Sequence, residues 1–291
     1  EAARTFDDEL DKVEAMGIRV VSEDEARRID ESGDRTLHLR DFDYDAIRSA
    51  FAAFGLELNV DGLALAVFDH GSAPAGYSDR QFRFDYLEQR LRAENRLSAF
   101  AHKRGELPDH LTRLQAVADT AAFDGDVLLM DTAPAAVLGA LLDPQVAAHS
   151  RLIVGNVGNF HTLAFRLGPG GVEGVFEHHT GEITREQLDG FIDKLADGTL
   201  EHREVFETMG HGALLFDRRP LVDPFVTIVG PRRSLMRRSR HRPYFAVPFG
   251  DMMIAGCFGL LRAFADVYPD RAEVILDSLR GAARPAPWEL I

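Results

Sequence analysis

The feature that most constrains this chain is a pair of apolar runs joined by a short turn. Residues 152–154 and 162–165 each have the composition of a buried strand, and together they predict a hairpin. The segment between the runs contains Gly155, Asn156, Gly158 and Asn159. Glycine and asparagine tolerate positive φ, so this turn can aim several backbone N–H groups at an anion such as phosphate. The alternative is a tight hairpin turn that binds nothing.

Other apolar runs alternate with helical patterns along the chain. Runs of strand length occupy residues 18–21, 63–68, 127–130 and 225–229, and an amphipathic pattern over 44–54 predicts a helix. The run at 63–68 is nearly continuous, which predicts burial on both faces of its strand. Alternating strands and helices of this kind predict an α/β layered fold.

Two helical patterns carry specific expectations. Ser78 is a predicted cap for a helix over 80–100, whose arginines we expect on a solvated face, with one inward ion pair allowed. These arginines are Arg80, Arg83, Arg90, Arg92 and Arg96. A second, apolar helix is predicted over 252–264, where Gly256 and Gly259 leave one face flat enough to press against another backbone.

The composition limits the classes of protein to which this chain can belong. The 291 residues fit roughly two domains, and 45% hydrophobic with 27% charged residues fits a globular chain. A net charge of −14 argues against sequence-independent nucleic-acid binding. The longest uncharged apolar runs, 132–142 and 252–261, are shorter than the roughly 20 residues that span a bilayer, so we expect no membrane segment. The single Cys257 excludes an internal disulfide and favours a reducing, cytoplasmic setting.

Carboxylates follow two of the predicted strands. Asp69 and His70 come after the run at 63–68, and Asp131 comes after the run at 127–130. Ligands of open α/β sheets gather at the carboxyl ends of strands, so Asp69 and Asp131 are candidate catalytic groups. An Asp turn at Asp69 and a helix N-cap at Asp131 are the alternatives.

A second polar group consists of Glu177, His178 and His179. Alternation along a strand places Glu177 and His179 on one face and His178 on the other, which makes three metal ligands from this segment alone geometrically awkward. A distant His211 can add a ligand. The candidate metal ligands are therefore Asp69, His70, Glu177, His178 and His179, in a metal-dependent hydrolase.

An arginine-rich loop follows the strand predicted at 225–229. The order strand, Gly230, helix start is one that α/β proteins use for anion or nucleotide contacts, and Arg232 and Arg233 add charge and a planar stacking surface. An exposed arginine loop without a ligand is the alternative.

Three stretches in this order resemble the second half of the actin-like ATPase fold of sugar kinases and large heat-shock chaperones. They are MDTAPAAVLGALLD, LIVGNVGNFHTLAFRL, and VTIVGPRRSLM with YFAVPFGDMMIAGCFGLLRAF after it. The resemblance implies an α/β fold of actin-like (ribonuclease H-like) lobes, with a partial first lobe over 1–132 and a second lobe with a closing C-terminal helix over 133–291. It also implies a first phosphate hairpin before Glu1, so we expect the first lobe to be incomplete at its N-terminus.

The same resemblance implies that ATP and Mg²⁺ bind between the lobes. Asp69 or Asp131 would then orient magnesium or water. The phosphates would meet Asn156, Gly158, Asn159, His161 and Thr162, and the base or ribose would meet Gly230, Arg232 and Arg233. The leading prediction is thus a nucleotide-binding protein whose full-length form performs phosphoryl transfer or ATP hydrolysis.

The segments FDHGSAP, FEHHTGEIT and GHGALLF also resemble an uncharacterised family labelled putative pyruvate formate-lyase activating enzyme, over nearly the whole chain. A glycyl-radical activase needs an iron–sulfur cluster held by three cysteines, and Cys257 alone does not supply them, so no such cluster is expected.

Three residues depart from the pattern of an active actin-like site: Asn156, Pro231, and His161, which stands where a small residue is common. Asn156 stands where the second hairpin usually carries Asp, and an amide is neither an anionic partner for Mg²⁺ nor a base. Pro231 removes one backbone N–H beside Gly230. These departures keep a second reading open, a non-catalytic binding or assembly module with a degenerate nucleotide site.

Overall fold

Two β-sheets organise the computed structural model, which describes residues 10–31 and 40–281. The smaller sheet contains β1 (Gly62–Ala66), β2 (Ala101–Lys103) and β3 (Asp126–Met130) in the order β1-β3-β2. Strands β1 and β3 are parallel, and β2 is antiparallel to β3. Of the predicted first lobe, residues 1–9 and 32–39 lie outside the described ranges, as do residues 282–291 of the second.

The larger sheet has six strands in the order β7-β6-β5-β4-β8-β9. Strands β4 to β7 form an antiparallel meander, whereas β8 pairs in parallel with β4, and β9 in parallel with β8. The strands are β4 (Leu152–Val157), β5 (His161–Gly168), β6 (Gly171–His179), β7 (Gly212–Leu215), β8 (Phe225–Val229) and β9 (Tyr244–Phe245).

Helices flank both sheets. In chain order they are α1 (Leu10–Ala15), α2 (Glu23–Glu31), α3 (Tyr44–Ala53), α4 (Asp79–Ala93), α5 (Thr112–Thr120), α6 (Thr132–Ala140), α7 (Pro144–Ala147), α8 (Arg185–Asp197), α9 (His202–Phe206), α10 (Ala255–Val267) and α11 (Pro269–Gly281). Short 3-10 helices occupy Leu97–Phe100, Arg233–Arg238 and Pro248–Gly250. No helix in these ranges is both long and apolar enough to cross a membrane.

The larger sheet is buried on both faces. Side chains alternate along each strand, so Val154 of β4 faces the core shared with the smaller sheet, and Ile153 faces the opposite core. Helix α8 covers that opposite face with Leu188, Ile192 and Leu195, the apolar stripe that its sequence periodicity indicates.

Helices α6 and α10 pack backbone against backbone between the two sheets. A Cβ atom on Gly259 would overlap the carbonyl oxygen of Ala135, and one on Gly139 would overlap the carbonyl oxygen of Ala255. The flat face predicted for the apolar helix is therefore confirmed at Gly259. Gly256 has room, because its added Cβ would meet only the backbone nitrogen of Ala136 at 4.0 Å.

Most elements lie where the sequence predicts them, and four differ. The hairpin at 152–165 is confirmed. The run at 18–21 forms no strand in the described ranges, and the apolar helix begins at Ala255, three residues late. Strand β1 is half-buried at all five positions, so the expected burial on both faces is wrong. The helix expected over 80–100 ends at Ala93.

Candidate functional site

A cavity of about 410 Å³ lies where the carboxyl ends of β4 and β8 meet helices α6 and α10. The turn after β4 and the loop after β8 form adjoining parts of its wall. We call this cavity the cleft. Its lining residues are Phe68, Thr132, Ala133, Ala136, Asn156, Gly158, Asn159, Phe160, His161, Val229, Gly230, Pro231, Met252, Met253, Ala255 and Gly256.

The hairpin turn and the loop after β8 are held against each other by backbone contacts. The N–H of Gly158 donates to the carbonyl oxygen of His161 at 2.9 Å, which closes the turn. The N–H of Arg232 donates to the carbonyl oxygen of Val157 at 3.0 Å. Gly230 has a φ of +106°, and a Cβ there would overlap that same carbonyl oxygen, so this close approach requires glycine.

The structure brings five of the eight predicted nucleotide contacts into the wall of the cleft: Asn156, Gly158, Asn159, His161 and Gly230. Thr162 is buried, and its hydroxyl lies 2.9 Å from Oγ1 of Thr180. Arg232 is exposed, and Arg233 donates to the carbonyl oxygen of Gly230 at 3.3 Å, so these arginines border the loop without lining the cleft.

Asp69 is buried, and its carboxylate accepts hydrogen bonds from backbone N–H groups. One oxygen accepts from the N–H of Gly71 at 2.9 Å, and the other accepts from the N–H of Leu114 at 2.8 Å. Burial raises the pKa of Asp69, against the lowering effect of these two hydrogen bonds. Asp69 thus ties the segment after β1 to the start of α5.

Arg83 of α4 forms the centre of a buried charge network. Its Nη2 lies 2.7 Å from Oδ2 of Asp131, its Nε lies 3.2 Å from Oε2 of Glu177, and its Nη1 donates to the carbonyl oxygen of Asp69 at 3.1 Å. Asp131 also caps α6, because its Oδ1 accepts from the N–H of Ala133 at 3.0 Å. Burial raises the pKa of Glu177 to about 7, and Oε1 of Glu177 has no hydrogen-bond partner among the described residues.

Alternation along β6 separates the three predicted ligands of the Glu177 segment. His178 points toward α8 and α9, and its ring nitrogens lie 3.0 Å from the carbonyl oxygen of His179 and 2.7 Å from that of Thr208. His179 points the other way and is partly exposed. The sequence-based assignment of opposite faces is confirmed.

Four histidines converge beside the cleft, and we call them the histidine cluster: His70, His161, His179 and His211. Nε2 of His70 lies 2.9 Å from Nε2 of His161. One ring nitrogen from each of His70, His161 and His211 lies within 4.8 Å of the others. The ring of His179 is centred 4.7 Å from that of His161 and 4.6 Å from that of His211.

The histidine cluster is held in the neutral state. Burial lowers the pKa of His70 to about 3 and that of His161 to about 2, and the neighbouring positive charge of Arg83 contributes to both shifts. Burial likewise lowers the pKa of His211 far below its usual value. The side chain of His161 joins this cluster to the cleft, where it stacks on Phe68 with ring centroids 4.2 Å apart.

Two features of the site were missed in the sequence. One inward ion pair was allowed among the arginines of the predicted helix, but nothing singled out Arg83, which is 2% exposed and has two buried carboxylate partners. His161 was assigned to the phosphate hairpin, and its place among the other histidines was not foreseen. The available signal was the position of His70 after a predicted strand, together with His211 as a possible distant ligand. Sequence spacing alone joins neither of them to His161.

The family described as "Putative pyruvate format-lyase activating enzyme (DUF1786)" matches residues 1–235. Comparison with the curated proteins and with the solved structures gives no match.

Proposed function

The chain belongs to this family, and on that premise we propose that its cleft binds a nucleotide or another phosphate-bearing small molecule. The observation that carries the proposal is the cleft itself, in which the turn after β4 and the loop after β8 line a single cavity. Both segments follow the carboxyl ends of parallel neighbouring strands, the position at which α/β sheets bind ligands.

The topology of the larger sheet supports an actin-like lobe. A meander of β4, β5 and β6 is followed by β8 and β9, which are added in parallel on the other side of β4. This is the strand arrangement expected of a ribonuclease H-like lobe. The likeness is one of fold, so the function is argued from the cleft.

The chemistry of the cleft suits a ligand with an apolar ring and a polar tail. Most of its lining is apolar, including Phe68, Val229 and Met252, while Asn156 and Asn159 supply amides beside the glycine-rich turn. A mainly apolar pocket with a few placed polar groups is typical of small-molecule sites. Two arginines border the loop from outside, where they favour an anionic ligand.

The engaged carboxylates favour binding over phosphoryl transfer. Asp69 accepts two backbone N–H groups, and Asp131 is used by the α6 cap and by Arg83. Neither carboxylate belongs to the lining of the cleft, and Asn156 supplies no charge there. We therefore favour a binding module, for which ATP and Mg²⁺ are the ligands to test. Asp69 and Asp131 do not support phosphoryl transfer or ATP hydrolysis in addition to binding.

The family description names an activating enzyme, and the proposal does not rest on that chemistry. An iron–sulfur cluster of that class requires three cysteine thiolates, whereas these 291 residues contain only Cys257, exposed on α10.

Titration calorimetry tests the proposal directly. ATP, AMP and inorganic phosphate are titrated separately into the protein, with and without Mg²⁺. We expect saturable binding of ATP, and weaker binding of AMP and of phosphate, because each offers only part of the ligand. The absence of heat with millimolar ATP would contradict the proposal.

A matched pair of asparagine variants locates the binding. Asn156→Ala removes the amide from the cleft and should weaken ATP about 5- to 10-fold, since one net hydrogen bond contributes about 1 kcal/mol. Asn59→Ala removes an exposed amide before β1 and should leave the affinity unchanged. Equal affinities in both variants would place ATP elsewhere on the protein.

A further inference from the structure

The histidine cluster assembles side chains that are distant in sequence. His70 follows β1, His161 begins β5, and His211 directly precedes β7, so three separate segments from both sheets supply the converging rings. The backbone N–H of His211 donates to the carbonyl oxygen of Glu177 at 2.9 Å, which fixes that segment beside β6.

Within the described ranges, three ring nitrogens of this cluster lack the hydrogen bonds that buried polar groups normally have. His211 is 0% exposed, and neither its Nδ1 nor its Nε2 has a partner among the residues that the structure describes. Nδ1 of His161 is likewise buried without a partner. Burial of unpaired polar atoms is unfavourable, so His211 in particular calls for a partner such as an ion or a water. A metal ion takes one nitrogen from each ring, so it would satisfy one of the two nitrogens of His211.

His178 provides an internal comparison. It is equally buried, yet carbonyl oxygens lie within hydrogen-bonding distance of both its ring nitrogens. The same sheet therefore gives a buried histidine on one face an acceptor for its single N–H, whereas on the other face both ring nitrogens of His211 lack a partner among the described residues.

The geometry points to a metal centre in which His70, His161 and His211 bind one divalent first-row transition-metal ion of the zinc type. Three imidazole ligands with a further position left open are characteristic of catalytic zinc sites, and nitrogen ligands suit Zn²⁺, Co²⁺ and Ni²⁺ better than Mg²⁺ or Ca²⁺. The ligand set differs from the sequence-based one, because His178, Asp69 and Glu177 have other partners and His161 takes part.

The distances require only a small adjustment. Two nitrogens that each lie about 2.0–2.1 Å from a tetrahedral zinc ion are about 3.3 Å apart. His70 and His161 have their Nε2 atoms at 2.9 Å, and all three ligand atoms lie within 4.8 Å. A metal ion bound here would require the first pair to open and His211 to move inward.

Charge and access are also compatible with a cation. Arg83 and Arg80 both act electrostatically on the cluster. Arg83 is already paired with Asp131 and Glu177. Arg80, which acts on His179, donates to the carbonyl oxygens of Phe206 and Gly210. The rings are neutral, which is the state that binds metal. His70 and His179 are both partly exposed, so the side of the cluster that they occupy gives an ion and its fourth ligand a route from solvent.

The inference does not depend on nucleotide binding. A metal would sit beside the cleft, because His161 belongs to both, but the test uses the metal alone. The chain is treated with a chelator, dialysed and titrated with Zn²⁺ against a chromophoric competitor, and Co²⁺ replaces Zn²⁺ for absorption spectra. We expect one equivalent of metal per chain and visible Co²⁺ bands typical of a tetrahedral site with nitrogen ligands.

Single variants assign the ligands. His70→Asn, His161→Asn and His211→Asn should each weaken Zn²⁺ by more than the roughly 10- to 100-fold that outer-shell changes cause. His149→Asn is the matched control, because His149 is exposed and stacks on Phe225, which pairs with Leu152 at the opposite end of β4 from the turn leading to His161. It should retain the affinity of the unchanged protein.

Circular dichroism of each variant shows whether it is folded, and the Co²⁺ spectrum of the unchanged protein stands even if one variant does not fold. The inference is overturned if the folded, unchanged protein binds neither ion, or if all three ligand variants keep full affinity. If the protein binds metal but not ATP, the proposed function is removed and the metal centre stands. If it binds ATP but no metal, the metal centre is removed and the proposed function stands.

Discussion

At the scale of single residues, Arg83 shows most clearly what sequence patterns omit. The arginines of α4 occur around much of the helix, so their spacing does not reveal which one is buried. The burial of Arg83 follows from carboxylates on β6 and at the start of α6, which are 94 and 48 positions away in sequence. Contacts of that range are decided by the tertiary fold.

The Arg83 network should be important for stability. Arg83→Met keeps a side chain of similar length but leaves Asp131 and Glu177 buried without their cation, and should lower the free energy of unfolding by about 3–5 kcal/mol. Arg92→Met, on the same helix, breaks an exposed pair with Glu88 and should cost under about 1 kcal/mol. Urea unfolding measures both, and equal losses would contradict the assigned role.

His102 of β2 should make the fold sensitive to acid. Burial lowers its pKa to about 4, whereas an unfolded histidine has a pKa near 6.5, so the unfolded state takes up the proton first. Stability is then lost as the pH falls from about 6.5 to 4. His102→Gln can keep a hydrogen bond to the hydroxyl of Tyr86, 3.0 Å from Nε2, and removes the titration.

Urea unfolding at pH 6.5 and pH 4.5 measures this effect. The unchanged protein should lose about 2 kcal/mol more than His102→Gln between these two pH values. The comparison with the variant isolates His102, because the other histidines are common to both proteins. A parallel pH dependence in the two proteins would contradict the assignment.

At the scale of elements, sequence patterns predicted the features that depend on interactions between residues close in sequence. Most of the strand runs, the hairpin and the Ser78 cap of α4 appear, because apolar runs and caps act over a few residues. The run at 18–21 forms no strand in the described ranges, since a strand also needs a partner that a short run does not specify. Strand β1 is half-buried because it lies at the edge of its sheet.

The contact between α6 and α10 depends on glycine. Gly259→Ala places a methyl group against the backbone of α6 and should destabilise the protein by about 1–3 kcal/mol. Gly256→Ala lies one turn earlier on α10, has room for the methyl group and should be neutral or stabilising by up to about 1 kcal/mol. Thermal unfolding of both variants checks the contact, and equal shifts in Tm would refute it.

At the scale of the whole molecule, the cleft arises because strand ends from both sheets converge. Phe68 follows β1, Thr132 follows β3, and the other walls follow β4 and β8. Sequence resemblance could predict the walls contributed by the larger sheet, because each is a continuous motif. It could not predict the histidine cluster, because three of its members, His70, His161 and His211, come from segments of both sheets and are separated by 91 and 50 positions.

The most direct test of the account compares two glycine-to-leucine variants by ATP calorimetry. Gly256 lines the cleft, so Gly256→Leu should fill part of it and weaken ATP at least about 10-fold, a loss of about 1.4 kcal/mol. Gly190 is a helical glycine of α8 with open space around its Cβ position, so Gly190→Leu should bind ATP like the unchanged protein. Full ATP affinity in a folded Gly256→Leu protein would contradict the account.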